Sequence, residues 1–289
     1  MKQKTRDSVL IDSHSSHDRL LRILYGSVLG RMLLKLLTKP AVSKIMGRFL
    51  SSKVSCILIK PFIHKYGIDM GQFESVEYRS YNEFFSRRIC PGARPIDADP
   101  RNLINPCDAK LTVLPITPGS HFRLKHTDYT ISSLLQDEEL AAAYEGGYAL
   151  IFRLTVDDYH RYCYVADGNK EDNIRIPGVL HTVKPIANDY YPIYKENSRE
   201  FSILHSNYFD DIVMMEVGAL LVGKIVNHHG KAHVTRGQEK GYFQFGGSTV
   251  VLLLKANTVQ IDADILKNSD ARIETVVRYG EKIGLSLKQ

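Results

Sequence analysis

A Gly-Gly-Ser-Thr step at residues 246–249 separates an aromatic run from an apolar run, and this pattern constrains the fold most. Residues 240–245 contain three aromatic side chains, and residues 250–254 are all valine or leucine. Short apolar runs beside glycine predict buried strands joined by a tight turn. Because glycine has no Cβ, the Gly247 carbonyl is open to close approach, and the Ser248 hydroxyl could attack it in a self-cleavage reaction. The step alone leaves a plain β-turn with a capped serine as the alternative.

The composition is that of a globular protein with one or two domains. The chain has 289 residues, of which 44% are hydrophobic and 24% are charged, and such a chain can bury a sizeable core. Four cysteines show no C-x-x-C pair. They therefore predict neither a zinc site nor a disulfide framework, and a reducing compartment is expected.

Positive charge is concentrated at the N-terminal end. Residues 1–80 contain 14 Lys and Arg against 6 Asp and Glu, a surplus of 8, whereas the whole chain carries +6, so the remainder carries −2. A basic end on a near-neutral body indicates an anionic partner, either a membrane surface or a nucleic acid. The mostly polar first eighteen residues show no signal peptide, and the longest stretch without a charged residue, 241–254, is too short for a membrane span.

The N-terminal part is predicted to be helical. Residues 1–18 are expected to be a polar, frayed tail, and residues 19–98 a helical region with punctuation at Pro40 and Pro61. The first of its helices is apolar around most of its circumference, with interleaved Arg and Lys and no acid after Asp18. This composition fits a helix that lies at an anionic membrane surface, or one buried against the protein's own core. A further helix is predicted over 74–96.

From residue 99 to 289 the pattern changes to short apolar runs between turns. Examples are residues 111–114, 148–154, 161–165, 212–217, 219–226 and 250–254, with one helical insert at 131–144. The sequence thus predicts an α+β fold: a helical N-terminal membrane-associating region packed on a β-rich, sandwich-like or barrel-like catalytic body.

Three residues outside the Gly-Ser step are candidates for acid–base work. His160 lies at the start of a strand in Asp-Tyr-His-Arg, and histidine is the natural proton carrier near neutral pH. Asp108 follows a proline-fixed turn, and His181 lies within a strand-like run. Each of them, taken alone, also fits a purely structural role.

Together these segments resemble the phosphatidylserine decarboxylases of prokaryotic type, which make their own pyruvoyl cofactor. The motifs occur in family order over most of the chain, and they are 82–87 with 91–97, 106–111, 153–154 with 158–161, 196–200, 217–223, 237–243 and 245–249. Ala109 replaces the usual glycine of the second motif.

The resemblance implies self-cleavage between Gly247 and Ser248. The products would be a β chain of residues 1–247 and an α chain of 248–289 that begins with a pyruvoyl group made from Ser248. It further implies that Ser248 is the nucleophile, that Asp108 is the acid of the relay, and that His160 protonates the carbanion formed when phosphatidylserine loses CO₂ to become phosphatidylethanolamine. The pyruvoyl carbonyl would accept the electrons of that step, and no metal is implied.

One position departs from the family motif, because Cys163 replaces the usual second histidine. Either His160 performs both roles, or another residue substitutes for the missing base. His181 is the candidate substitute, since pairing beside the 160–165 strand would bring its ring near Ser248. A Cys163 thiolate is disfavoured because burial raises a thiol pKa. Failure to mature is the remaining alternative.

The expected partners follow from the same resemblance and from the basic N-terminal end. They are phosphatidylserine and an anionic membrane surface, with the protein peripheral at the cytoplasmic face of the cell membrane. The β and α chains would form a heterodimer, which could dimerise further. The competing hypothesis is a non-catalytic relative that keeps the fold and binds membrane. Nucleic-acid binding is discounted, because the chain lacks a recognition motif.

Overall fold

The computed structural model describes residues 2–12, 27, 40–119, 121–124, 127–179, 196–218, 224–245 and 248–288. This part of the chain is mostly β-sheet with few helices, which confirms the predicted α+β class and its β-rich body. The described α-helices are α1 (Pro40–Leu50), α2 (Ile59–Tyr66), α3 (Tyr81–Phe85), α4 (Ile131–Leu135), α5 (Glu138–Ala142) and α6 (Ala263–Asp270), with 3₁₀ helices at Lys53–Leu58 and Met70–Gln72.

Strands contain most of the described residues that lie in regular secondary structure. In chain order, the described strands are β1 (Lys2–Thr5), β2 (Leu10–Asp12), β3 (Asn102–Ile104), β4 (Ala109–Pro115), β5 (His121–Leu124), β6 (Thr127–Thr130), β7 (Tyr148–Leu154), β8 (Arg161–Cys163), β9 (Gly168–Lys170), β10 (Ile174–Ile176), β11 (Arg199–Ser206), β12 (Asp210–Val217), β13 (Ile225–Asn227), β14 (Ala232–Val234), β15 (Glu239–Phe243), β16 (Ser248–Leu254), β17 (Val259–Ile261), β18 (Glu274–Val277) and β19 (Lys282–Ser286).

A large sheet runs through the molecule in the order β14-β9-β11-β12-β16-β7-β4-β18-β1-β2, with β10 also paired to β11. Strand β16 lies near its middle, antiparallel to β12 and β7. All seven residues of β16 are buried, which explains why the sequence shows a continuous apolar run rather than an alternating pattern. Two three-stranded sheets, β13-β15-β8 and β17-β19-β3, and the hairpin β5-β6 complete the described β structure.

The small sheet β13-β15-β8 packs against the large one in a single core. Tyr162 and Phe243 of the small sheet belong to the same buried cluster as Leu252 of β16 and Phe152 of β7. Two of the connections between these sheets are residues 155–160, between β7 and β8, and residues 244–247, between β15 and β16. Both candidate residues His160 and Ser248 lie at ends of these connections.

The predicted frayed tail is wrong for residues 2–12, which form two strands. Strand β1 pairs in parallel with β18, and β2 pairs with β1. Arg6, which follows β1, donates hydrogen bonds to Asp262 at 2.7 Å and to Asp264 at 3.0 Å. The partners of β1 on β18 and the two aspartates bound by Arg6 lie more than 250 residues away in the sequence, so local polarity gave no sign of them. Residues 13–18 lie outside the described part.

The helical prediction holds for residues 40–66 and is too long for 74–96. Within 74–96 the only α-helix is α3, which begins after Ser80, whose side chain accepts from the Glu83 N–H at 3.2 Å. Its Tyr81, Phe84 and Phe85 form a second buried cluster with Leu50. The predicted long helix thus rested on aromatic residues that lie on one short helix and are buried together. The predicted first helix, before Pro40, lies outside the described residues except for Ser27.

The strand predictions agree well with the structure. Strand β7 has the predicted bounds of 148–154, while the predicted insert at 131–144 forms the two short helices α4 and α5. Most of the predicted run 219–226 lies outside the described residues. No helix in the described part is long and apolar enough to cross a membrane.

The central position of β16 makes its side chains decisive for stability. We expect Leu252→Ala, in a Ser248→Ala background that keeps one covalent chain, to lower the free energy of unfolding by about 2–5 kcal/mol, because it opens a cavity in the core. Leu287→Ala is the matched control, since Leu287 is 51% exposed whereas Leu252 is fully buried. Urea unfolding measures both; equal midpoints for the two variants would contradict this placement of β16.

Candidate active site

Ser248 is the first residue of β16 and is held there by the sheet. It pairs with Leu154 of β7, and its neighbour Thr249 pairs with Val217 of β12. The side chain is fully buried, and its Oγ has no hydrogen-bond partner among the described residues. A buried hydroxyl without a partner costs free energy, so it calls for a functional explanation. Gly247, whose carbonyl the serine would attack, lies outside the described residues.

His160 is brought to the same region by the two connections. The connection that begins after Leu154, the partner of Ser248, ends at His160. The connection that begins after Phe243 ends at Ser248, and the Phe243 N–H donates to the His160 carbonyl at 2.9 Å. The 155–160 connection therefore starts beside Ser248 and ends at His160. The 244–247 connection starts beside His160 and ends at Ser248. Both are short, so they hold the imidazole and the hydroxyl in one region.

The imidazole of His160 is oriented with one nitrogen free. Its Nδ1 lies 2.9 Å from the Asp158 carbonyl oxygen, and because a carbonyl only accepts, Nδ1 must carry the proton. The buried Nε2 then holds a lone pair and has no partner among the described residues. Burial, and next the positive charge of Arg87, lower the pKa of His160 to about 3. The ring is thus neutral near pH 7 and can accept a proton.

Aromatic side chains of α3 fix the position of this ring. The Phe85 ring lies 4.0 Å from the His160 ring, centroid to centroid. Phe245, three residues before Ser248, lies 5.1 Å from Phe85 and 5.1 Å from Tyr81. Helix α3 therefore contacts both the histidine and the connection that leads to the serine.

The hydrogen bonds that Asp108 makes differ from those that its predicted role in the relay would require. Its carboxylate accepts from Arg94 Nη2 at 2.7 Å and Nε at 3.0 Å, and from the Tyr279 N–H at 2.8 Å. None of its described hydrogen bonds involves a histidine. The sequence-based role of Asp108 as the acid of the relay stays a prediction, and the structure places this carboxylate on Arg94.

A second carboxylate stands closer to His160 in the chain. Asp158 accepts from Lys110 Nζ at 2.6 Å and from the Thr155 N–H at 2.6 Å. These bonds tie the start of the 155–160 connection to β4. They hold the carbonyl of Asp158 where it orients the imidazole, so Lys110 and Thr155 support the site from outside.

Cys163, which the family resemblance predicts to replace a second histidine, is buried on β8. Burial raises the pKa of its thiol to about 12, and its Sγ lies 3.9 Å from the Asn105 carbonyl oxygen. The thiol is therefore protonated near neutral pH and is a poor base. His181, the predicted substitute, lies outside the described residues. No group of three or more His, Cys, Asp or Glu within the described ranges could hold a metal ion.

A buried ion pair on the Ser248 face of the sheet was not predicted. Glu216 pairs with Val250, two residues along β16 from Ser248, so Glu216 and Ser248 project from the same face. The Glu216 carboxylate accepts from Lys240 Nζ at 2.7 Å, and both side chains are fully buried. Asn227 donates to the same carboxylate oxygen at 3.0 Å. The only local sign was the charged Glu216 inside the apolar run 212–217.

Comparison with known proteins identifies relatives over nearly the whole chain. A family model described as phosphatidylserine decarboxylase matches residues 81–285. The chain is 48% identical over 265 residues to phosphatidylserine decarboxylase proenzyme 2 of Clostridium acetobutylicum, with 91% of each chain covered. It is 40% identical over 272 residues to a phosphatidylserine decarboxylase proenzyme of Ruminiclostridium cellulolyticum, covering 92% of this chain and 91% of the relative.

The burial of Cys163 has a direct chemical consequence. We expect the native protein to resist alkylation at Cys163 at pH 8, because the thiol is buried and its pKa is about 12. The partly exposed Cys56 and Cys90 serve as internal controls and should react first. Iodoacetamide labelling followed by peptide mass mapping measures each site. Labelling of Cys163 as fast as Cys90 would show that this thiol is accessible.

Proposed function

This chain belongs to the phosphatidylserine decarboxylase family, and we propose that Ser248 and His160 are the pair that matures it. The relatives named above are proenzymes, and the activity is pyruvoyl-dependent decarboxylation of phosphatidylserine to phosphatidylethanolamine. The observation that carries the assignment of the pair is that Ser248 Oγ and His160 Nε2 are both buried, both lack a described hydrogen-bond partner, and belong to residues at the ends of neighbouring connections.

The maturation step follows from the state of these two groups. His160 Nε2 takes the proton of the Ser248 hydroxyl while Oγ attacks the Gly247 carbonyl carbon. The Gly247–Ser248 C–N bond breaks, and the imidazolium returns its proton to the new amine, which leaves an ester. An imidazolium with a pKa near 3 is a strong acid, so this return is favourable.

The ester then decomposes to the cofactor. A base removes the α-proton of residue 248, and elimination expels Gly247 as a free carboxylate. The remaining dehydroalanine takes up water and loses ammonia, which gives the pyruvoyl group. When formed, this group supplies an electron sink for decarboxylation. His160 would then pass a proton taken up from solvent through the same nitrogen to the α-carbon of the substrate.

The architecture supports a product that stays together after cleavage. The α chain would contain β16 to β19, and β16 is paired on both sides by strands of the β chain, β12 and β7. Strand β18 is likewise flanked by β4 and β1. These ladders form without the broken peptide bond, which supports a β–α heterodimer. A further dimer of this heterodimer stays a prediction from the sequence.

Variants of the histidines and of Cys163 test the assignment on a denaturing gel. We expect the purified wild-type chain to run as a large and a small fragment, and Ser248→Ala and His160→Ala to stay uncut at 32.8 kDa, because nucleophile or base is missing. Cys163→Ser should be cut normally, since its thiol carries no role in the step.

The variant His181→Ala tests the alternative base that the sequence predicts. A cut His160→Ala together with an uncut His181→Ala would transfer the role of base to His181. A wild-type chain that stays intact and can be sequenced from its own N-terminus would instead favour the non-catalytic relative.

The proposal includes contact with an anionic membrane surface through an apolar face of the first described helices. This apolar face, on α1 and the following 3₁₀ helix, consists of the exposed side chains Ile45, Met46, Phe49, Val54, Ile57 and Leu58. The exposed basic residues Arg48, Lys53 and Lys60 lie in the same stretch of chain. Residues 40–66 contain no Asp or Glu. Clustered apolar side chains flanked by Lys and Arg suit an interface with anionic lipid. The proposal keeps the predicted peripheral position at the cytoplasmic face of the cell membrane.

Helix α2, which directly follows the 3₁₀ helix of the apolar face, packs on α3 toward the reactive serine. Phe62 of α2 lies 5.5 Å from Tyr81 and 6.0 Å from Phe84, centroid to centroid. Tyr81 in turn contacts Phe245, three residues before Ser248. The apolar face and the candidate active site are therefore linked by one layer of helices, which suits a substrate that arrives from a bilayer.

A charge placed in the apolar face tests the membrane contact. We expect Ile57→Asp to lower binding to vesicles of phosphatidylcholine and phosphatidylserine by about tenfold or more, because burying a large aliphatic side chain contributes about 1.5–3 kcal/mol. Ile174→Asp is the matched control, since Ile174 is 50% exposed, against 69% for Ile57, but lies on β10. Co-sedimentation measures both. Equal binding by the two variants would rule out this face.

A further inference from the structure

Arg87 is a buried cation in the helical layer beside His160. It follows α3, and only 2% of its surface is exposed. Its guanidinium lies 4.2 Å from the ring centroid of Phe73 and 5.0 Å from that of Phe84. Nη1 donates to the Phe84 carbonyl at 3.4 Å. Aromatic faces thus hold the guanidinium plane in place.

One edge of this guanidinium has no described partner. Both Nε and Nη2 are buried and make no hydrogen bond within the described part of the chain. The carboxylate of Asp108, whose charge acts on Arg87, is already bound by Arg94. Burying a cation with open donors is costly unless an anion completes the site. The Nε and Nη2 donors lie side by side, which suits two oxygens of one anionic group.

We propose that Arg87 binds the phosphodiester of the phosphatidylserine head group through Nε and Nη2. This inference rests on the proposed function, which supplies the substrate, and it adds a residue that positions the head group. The substrate offers two anionic groups, the phosphodiester and the serine carboxylate. The fork would fit either of them by shape alone.

The chemistry of the reaction favours the phosphodiester. The carboxylate loses its charge as CO₂ departs, so an arginine bound to it would stabilise the ground state more than the transition state and would slow the reaction. The phosphodiester keeps its charge throughout. Binding it gives uniform binding energy, which can place the serine end of the head group without opposing decarboxylation.

The position of Arg87 matches the order of groups along the lipid, from the acyl chains through the phosphodiester to the serine. Phe84, on which Arg87 stacks, contacts Phe62 of α2, which directly follows the 3₁₀ helix of the apolar face. Phe85, the next residue, stacks on His160. A lipid that enters from the apolar face would therefore meet Arg87 with its phosphodiester and His160 with its serine.

The charge of Arg87 also reaches His160. It is the second cause, after burial, of the lowered pKa of that imidazole. An anion on Arg87 would offset this charge, while burial, the larger cause, would still hold the pKa of His160 low.

The test uses the matured enzyme with dihexanoyl phosphatidylserine as substrate and dihexanoyl phosphatidylethanolamine as product inhibitor. We expect Arg87→Lys to raise both the KM and the product inhibition constant by about tenfold to a hundredfold, because a charge-assisted fork is lost. The kcat should stay nearly unchanged, as expected for uniform binding. Arg88→Lys is the matched control, since Arg88 is the exposed neighbour, and both constants should be unaffected.

The product separates the two anionic groups, because phosphatidylethanolamine keeps the phosphodiester and lacks the carboxylate. A raised KM with unchanged product inhibition would assign Arg87 to the carboxylate and overturn the proposal. Unchanged constants in Arg87→Lys would leave it only a packing role, which also overturns the proposal.

Two further comparisons keep the test decisive if Arg87→Lys fails to fold or to mature. If Arg87→Lys stays uncut, the wild-type enzyme is compared on a dihexanoyl analogue with a neutral carbonate diester in place of the phosphodiester. We expect kcat/KM to fall about tenfold or more, and equal values overturn the proposal. A wild-type chain that is itself uncut and inactive overturns the proposed function, and this inference with it.

Discussion

The pairing of β16 on both sides is the constraint on which the rest of the site depends. Ser248 is its first residue, so the nucleophile is anchored by ladders to β7 and β12 while the peptide before it belongs to a connection. A rigid nucleophile beside a short connection needs little ordering to reach the neighbouring carbonyl. The same ladders hold the α-chain segment in the core, so that the new terminus would be formed at a fixed place.

The aromatic cluster around α3 has a second, complementary role. Phe85 contacts His160, and Tyr81 contacts Phe245, so one short helix touches the base and the approach to the serine. The cluster also receives Phe62 from the layer that carries the apolar face. Packing in cores is dense and transmits displacement. The proposed membrane contact, the proposed phosphodiester site and the imidazole would therefore be coupled through a few aromatic rings.

The sequence predicted those features that depend on local pattern. Strand β7 was predicted with its observed bounds and most of β16 was recognised, because both strands are continuous apolar runs. Strand β1 was missed because its partner Glu274 is remote in sequence and its own residues are polar. The importance of Arg87 was equally hidden, since Arg88 follows it with an identical side chain and only the fold buries one and exposes the other.

The predicted replacement of a family histidine by Cys163 can be set against the hydrogen bonds and ion pairs around this residue. Cys163 interacts with the Tyr279 side chain, and the Tyr279 N–H donates to Asp108, so position 163 lies close to the carboxylate expected to serve the relay. With a thiol there, Arg94 supplies the charge partner of Asp108. His160 is oriented by the Asp158 carbonyl, and a neutral acceptor stabilises an imidazolium less than a carboxylate does. Burial, and next the positive charge of Arg87, lower the pKa of His160, which makes the imidazole a weak base but a prompt donor to the leaving amine.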